Sequence, residues 1–153
     1  LCFTLYALSI GYFNYTILFD NQKIPFPPVD RGQYIESVNA GYGLKELVQF
    51  AREKSVEKPV ILLAEGNFGV VGDMLDSSIG VGEKISVRGY WPLNEKDLYD
   101  NQKELKNNYV YVVYSHKQLK DIHPIWPLKL IKVYERPYGD SSFTLLELTD
   151  AQQ

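Results

Sequence analysis

Pro59 introduces Val60-Ile61-Leu62-Leu63-Ala64, an unbroken apolar run, and Glu65-Gly66-Asn67 ends it. A run this short, with no polar alternation, predicts a strand covered on both faces, as strands of parallel sheets are. Parallel strands are joined by crossovers, so helices are expected on either side of it in the chain. Upstream, Leu44, Leu47, Val48 and Ala51 recur at helical spacing. Glu46 lies near the start of that stretch and Arg52 and Lys54 near its end, where the helix dipole favours those signs, so a helix is predicted from about Leu44 to Lys54. Downstream, a second helix is predicted from Phe68 to about Asp76.

Ile85, Val87 and Gly89 then alternate with Ser86, Arg88 and Tyr90, predicting a strand with one face covered and one partly exposed. Asn94 with Asp97 three residues on marks a helix start, and the charged stretch to Asn107 reads as a surface helix packed through Leu98 and Leu105. Tyr109 to Tyr114 is the strongest strand pattern in the chain. Two last strands, about Leu128 to Tyr134 and Phe143 to Leu148, flank Arg136-Pro137-Tyr138-Gly139-Asp140-Ser141, whose turn residues favour an antiparallel hairpin. The expected fold is a three-layer, Rossmann-like α/β domain over residues 43–150. Its mixed sheet has a parallel core and a C-terminal antiparallel hairpin.

The amino terminus has a different character. Residues 1–19 carry no charged side chain and approach the length of a bilayer span. Gly11, Asn14 and Tyr6, Tyr12 and Tyr15 dilute it, so residues 1–19 are expected to be the end of a last transmembrane helix, to about Ile10, followed by its interfacial exit. The alternative is that Tyr12 to Phe19 is an amphipathic strand. No basic start or small-residue cleavage site marks a signal peptide, and with Leu at position 1 the chain is expected to be a piece of a longer protein. Residues 20–42 read as a linker, in which Pro25, Pro27 and Pro28 predict an extended path without helix.

With 153 residues, 45% of them hydrophobic, one compact domain is the limit. Sixteen Lys and Arg against nineteen Asp and Glu, net −3, leave no electrostatic footprint for a phosphate backbone, which argues against nucleic acid. The single cysteine, Cys2, permits neither a disulfide framework nor a Cys-based metal site. Twelve tyrosines, with Trp91 and Trp126 each followed by Pro, suit either a membrane interface or a β-rich core.

Chemistry-bearing motifs are sparse. Gly41-Tyr42-Gly43-Leu44-Lys45-Glu46 begins like a dinucleotide fingerprint, but Glu46 holds the third glycine position and Val38-Asn39-Ala40 is no strand, so a turn aiming the first helix is the better reading. Glu65-Gly66-Asn67-Phe68-Gly69 sits where a parallel strand passes into a helix. Open α/β sheets bind ligands there, with Glu65 and Asn67 as polar selectors, although a tight turn needs the same glycines. Asp30-Arg31 offers a salt bridge that anchors the linker or lines a groove. His116 and His123 lack companions for a metal shell and read as surface residues. Asn14-Tyr15-Thr16 fits a glycosylation triplet, a pattern that also arises by chance. No serine elbow, phosphate loop or Cys/His pair appears.

Five segments carry a resemblance. Asp30-Arg31-Gly32-Gln33-Tyr34-Ile35-Glu36 and Ala40-Gly41-Tyr42-Gly43-Leu44-Lys45-Glu46 come first. Glu65 to Gly69, Gly89-Tyr90-Trp91-Pro92-Leu93 and Trp126-Pro127-Leu128-Lys129-Leu130-Ile131 follow. In this order they resemble the tails of bacterial membrane glycosyltransferases related to the dolichyl-phosphate-mannose protein mannosyltransferases, of the C-type class, over about Phe19 to Leu148. The resemblance implies a multi-pass parent in the cell membrane that moves a sugar from a polyprenyl-phosphate donor. This part would be its accessory, extracytoplasmic domain, with the parent's transmembrane part and the bilayer as partners.

The family's essential acidic residue lies in the first external loop, to which nothing here corresponds. The resemblance therefore implies no catalytic residue, metal or cofactor in this segment and leaves any divalent metal to the parent. Glu65, Asn67, Asp30 and Arg31 remain as candidate substrate-binding residues. The alternative is a non-enzymatic small-ligand-binding or interaction domain on a membrane anchor.

Overall fold

The computed structural model describes residues 2–36, 41–66, 71–114, 122–135 and 142–150. The apolar run forms β1 (Val60–Glu65), buried along its whole length. It pairs in parallel with β2 (Ile85–Tyr90) on one side and β3 (Tyr109–Tyr114) on the other, Val60 standing opposite both Ile85 and Tyr109. Beyond β3, the chain adds β4 (Leu128–Glu135) and β5 (Ser142–Leu148). The last strand pairs antiparallel with β3 and carries β4 on its outer side, so the order is β2-β1-β3-β5-β4. β1 is paired on both sides, but β3 rather than β1 takes the middle position. A register shift between Leu130 and Lys132 bulges the edge strand β4, a device that discourages edge-to-edge pairing.

Helices pack against each face of the parallel strands, while most of the edge strand β4 is exposed. Alternate side chains of β1 point to opposite faces. Val60, Leu62 and Ala64 join Tyr111, Val113 and Leu145 in one cluster with Leu47, Val48 and Ala51 of α3 (Leu44–Ser55) and Leu75 of α4 (Val71–Ser78). Ile61 and Leu63 join Val110, Val112, Tyr114, Leu146 and Leu148 in a second cluster, with Leu93 and with Leu98 of α5 (Glu95–Gln102). The result is a mixed α/β fold with a five-stranded mixed sheet and helices. The Asn94 start is a full capping box: its side chain accepts the Asp97 N–H while the Asp97 carboxylate accepts the Asn94 N–H. The expected continuation to Asn107 tightens into a 3-10 turn over Lys103–Lys106. The start of the second helix at Phe68 and the hairpin turn Arg136 to Ser141 lie outside the described residues.

Two expectations are corrected at the amino terminus. The linker is not helix-free: a 3-10 turn at Asn21–Lys23 is followed by α2 (Pro28–Arg31) and a π-helical turn over Gly32–Glu36. Pro28 opens α2 at a position where no intrahelical N–H is needed and where its fixed φ already suits a helix. Residues 2–19 form one helix, α1 (Cys2–Phe19), that neither stops at Ile10 nor becomes a strand at Tyr12. One interior glycine costs a helix only about 1 kcal/mol, and no proline follows it. Phe3, Leu5, Tyr6, Leu8, Tyr12, Tyr15, Leu18 and Phe19 are all exposed, so α1 shows apolar side chains all round. Among the described residues no helix is long and apolar enough to cross a membrane.

Candidate functional site

β1, β2 and β3 end at Glu65, Tyr90 and Tyr114, with Glu65 registered opposite Tyr90. The chain leaves β1 toward α4 on one face and β2 toward α5 on the other, so the carboxyl end of β1 stands where the connections diverge. Such points are where open α/β sheets hold ligands. Glu65 follows Ile61 and Leu63 toward the α5 face and is only 3% exposed. Gly66, at φ 135, turns the backbone so that its N–H donates to the Tyr90 carbonyl at 2.9 Å. Past the cis Trp91–Pro92 bond, the Leu93 N–H donates to Glu65 Oε1 at 3.3 Å.

Tyr114 lies fully buried on the same face. Burial pushes its hydroxyl well above the ordinary tyrosine value, and the nearby carboxylates of Glu65 and Asp97 push it further. It stays protonated across the physiological range. The described bond of Glu65 is thus to main chain, and its evident work is to fasten the β2–α5 connection beneath the strand ends. Asn67, the other selector proposed for this loop, lies outside the described residues.

Arg31 does not pair with Asp30. Its Nε donates to Glu36 Oε1 at 2.9 Å and its Nη1 to the Gln22 carbonyl at 2.7 Å, which ties the helical turns of the linker together. Adjacent residues on a helix point about 100° apart and cannot face each other, whereas Glu36 comes round within reach. The described bonds of Arg31 remain within residues 20–36, so anchoring is the role they support.

The glycine turn before α3 holds Gly41 at φ 73 and Gly43 at φ 79, and the Leu47 N–H donates to the Gly43 carbonyl. This is a helix-aiming turn. Within α1 Asn14 is exposed, while Thr16 is buried and its hydroxyl donates to the Phe13 carbonyl at 2.8 Å. His123 Nδ1 accepts the Ile125 N–H at 3.4 Å; His116 lies outside the described residues. Among the described residues no group of three or more His, Cys, Asp or Glu side chains is placed to hold a metal ion.

One feature escaped sequence reasoning. A cleft of about 610 Å³ opens between α5, the turn into β4 and the end of β5, lined by Tyr99, Ile125, Trp126, Leu128, Lys129 and Asp150 among others. Trp126-Pro127 stood out in the sequence, but nothing there brings Tyr99 and Asp150 beside it. Compared with known protein families, curated proteins and solved structures, the chain matches none.

Proposed function

We propose that this chain is the carboxy-terminal part of a polytopic membrane glycosyltransferase related to the dolichyl-phosphate-mannose protein mannosyltransferases. In this reading residues 43–150 are a three-layer, Rossmann-like domain on the extracytoplasmic side. The domain is accessory and non-catalytic, capping the external face of the parent's transmembrane part. The reading is supported by the five ordered segments that resemble such tails and, above all, by α1. Its apolar side chains are exposed all round. Burying each large one is worth about 1.5–3 kcal/mol, so a helix of this kind belongs against lipid or other apolar helices. At a rise of about 1.5 Å per residue, its 18 residues extend roughly 27 Å, a little short of the bilayer core. α1 is read as the end of a last transmembrane helix.

The parent's reaction needs a carboxylate base to take the proton from an acceptor hydroxyl as the lipid phosphate leaves the sugar. That base belongs to the parent's first external loop, and any divalent metal to the parent. Here Glu65, Asn67, Asp30 and Arg31 would lie nearest the acceptor channel and shape its mouth.

Translating the reading frame upstream of the Leu1 codon tests the proposal. Many apolar spans of about 20 residues, with acidic residues in the first external loop, support it. A start codon within a few residues, or a single span, overturns it in favour of a non-enzymatic binding domain on an anchor. In a full-length parent, deletion of residues 43–153 with membrane insertion retained should alter transfer or acceptor choice. Unchanged transfer removes the capping role.

A further inference from the structure

The cleft beside α5 lies at the end of the sheet opposite Glu65. β5 runs antiparallel to β3, with Glu147 opposite Tyr111, so its last residues reach the amino-terminal ends of the parallel strands. Here the Thr149 N–H donates to the Pro127 carbonyl at 2.8 Å and Gln102 Nε2 to the Thr149 carbonyl at 2.9 Å. The Leu128 N–H closes a tight turn on the Trp126 carbonyl at 2.7 Å. Pro124 and Pro127 stiffen the same wall. Three elements are therefore bonded into a fixed frame around the opening. Its volume, about 610 Å³, is that of a small-molecule site.

We propose that this cleft binds a neutral saccharide. Tyr99, 43% exposed, and the partly buried Trp126 both line it, while Ile125 stands 70% exposed on its rim. The electron-rich faces of such rings attract the partly positive C–H face of a pyranose, which is flat and apolar on one side.

The polar lining argues for hydroxyls. The side chains of Tyr99, Lys129 and Asp150 make no hydrogen bond or ion pair among the described residues. An ionised carboxylate only accepts, an ammonium only donates, and a phenol does both. A sugar hydroxyl satisfies all three, whereas a purely apolar ligand would desolvate them without return. One acid and one base give the cleft no net sign with which to select a phosphorylated ligand. The inference rests on the cleft alone and stands whatever the upstream reading frame contains.

The test uses the full chain carrying Trp91→Phe, which leaves Trp126 as the only tryptophan. Cellobiose and maltose are titrated while Trp126 fluorescence is followed, with glycerol and glycylglycine as controls. At least one disaccharide is expected to give a saturable change with a dissociation constant of about 1 mM. Tyr99→Ala should weaken it at least tenfold, and Asp150→Asn, outside the strands, should also weaken it even if the first change disturbs α5. No saturation by either disaccharide, an equal response to glycerol, or saturation by glycylglycine alone would overturn the proposal. So would full affinity in both variants.

Discussion

The Leu93 N–H donates to Glu65 Oε1 across 28 positions of sequence, joining the last residue of β1 to the first turn beyond β2. Both residues are buried, so the bond cannot be exchanged for one to water without opening the cluster beneath α5. Removing one partner of a buried hydrogen bond costs about 1–3 kcal/mol. Glu65→Ala should lower stability by about that amount in urea unfolding, and Glu65→Gln, which keeps an acceptor oxygen, by less. Equal stability of Glu65→Ala and the parent chain would show that the carboxylate does not hold this connection.

Arg52 grips Glu83 in a fork, Nε to Oε2 at 2.9 Å and Nη2 to Oε1 at 2.8 Å, linking α3 to the turn before β2. That bond, followed by the Gly80 N–H, lowers the Glu83 carboxyl from 4.5 to about 2. The folded state therefore binds this proton more weakly than the unfolded chain. The stabilisation is complete above 4.5 and is lost as pH falls toward about 2. An NMR titration should place the Glu83 midpoint near 2 in the native chain and back toward 4.5 in Arg52→Gln. Arg52→Gln should also flatten the loss of stability across that window.

Gly43 and Gly82 both have positive φ, at 79° and 91°, but only one is crowded. A Cβ on Gly43 would lie 2.8 Å from Tyr134 Cβ, whereas one on Gly82 meets nothing within 4 Å. Left-handed backbone costs a side-chain-bearing residue about 1–2 kcal/mol. Gly82→Ala should lose about that much in thermal or urea unfolding. Gly43→Ala should lose clearly more, because α3 or β4 must also shift. Equal losses would mean that the contact relaxes freely.

Asn94→Ala removes the side-chain half of the capping box on α5. A loss of about 1 kcal/mol is expected, with Asn94→Asp close to neutral because it keeps the acceptor. Urea unfolding of the two variants checks this, and a loss in both alike would assign the effect to something other than the cap.

What was legible from sequence is what short-range pattern encodes. The apolar run at Val60 to Ala64, the period of Leu44 to Ala51 and the Asn94–Asp97 start each specify a local element whose partner is the solvent or the core in general. The linker turns were missed because Pro28 was read as a breaker, although at the first position of a helix it is not one. The helix through Gly11 was cut short because Gly11, Asn14 and the tyrosines were given more weight than the uncharged run around them.

Amino-acid order therefore determined on its own the helices α3 and α5 and the strands of the sheet, that the sheet has a parallel part, and that α1 is apolar and uncharged. Tertiary structure decided the rest, because those outcomes depend on which groups meet across long separations in the chain. It placed β5 inside β4, turned Arg31 to Glu36, engaged the Glu65 carboxylate with the Leu93 main chain and brought Tyr99, Trp126 and Asp150 around one cleft. A side chain's type sets what it can bond to; only the packed fold sets what comes within its few ångströms of reach.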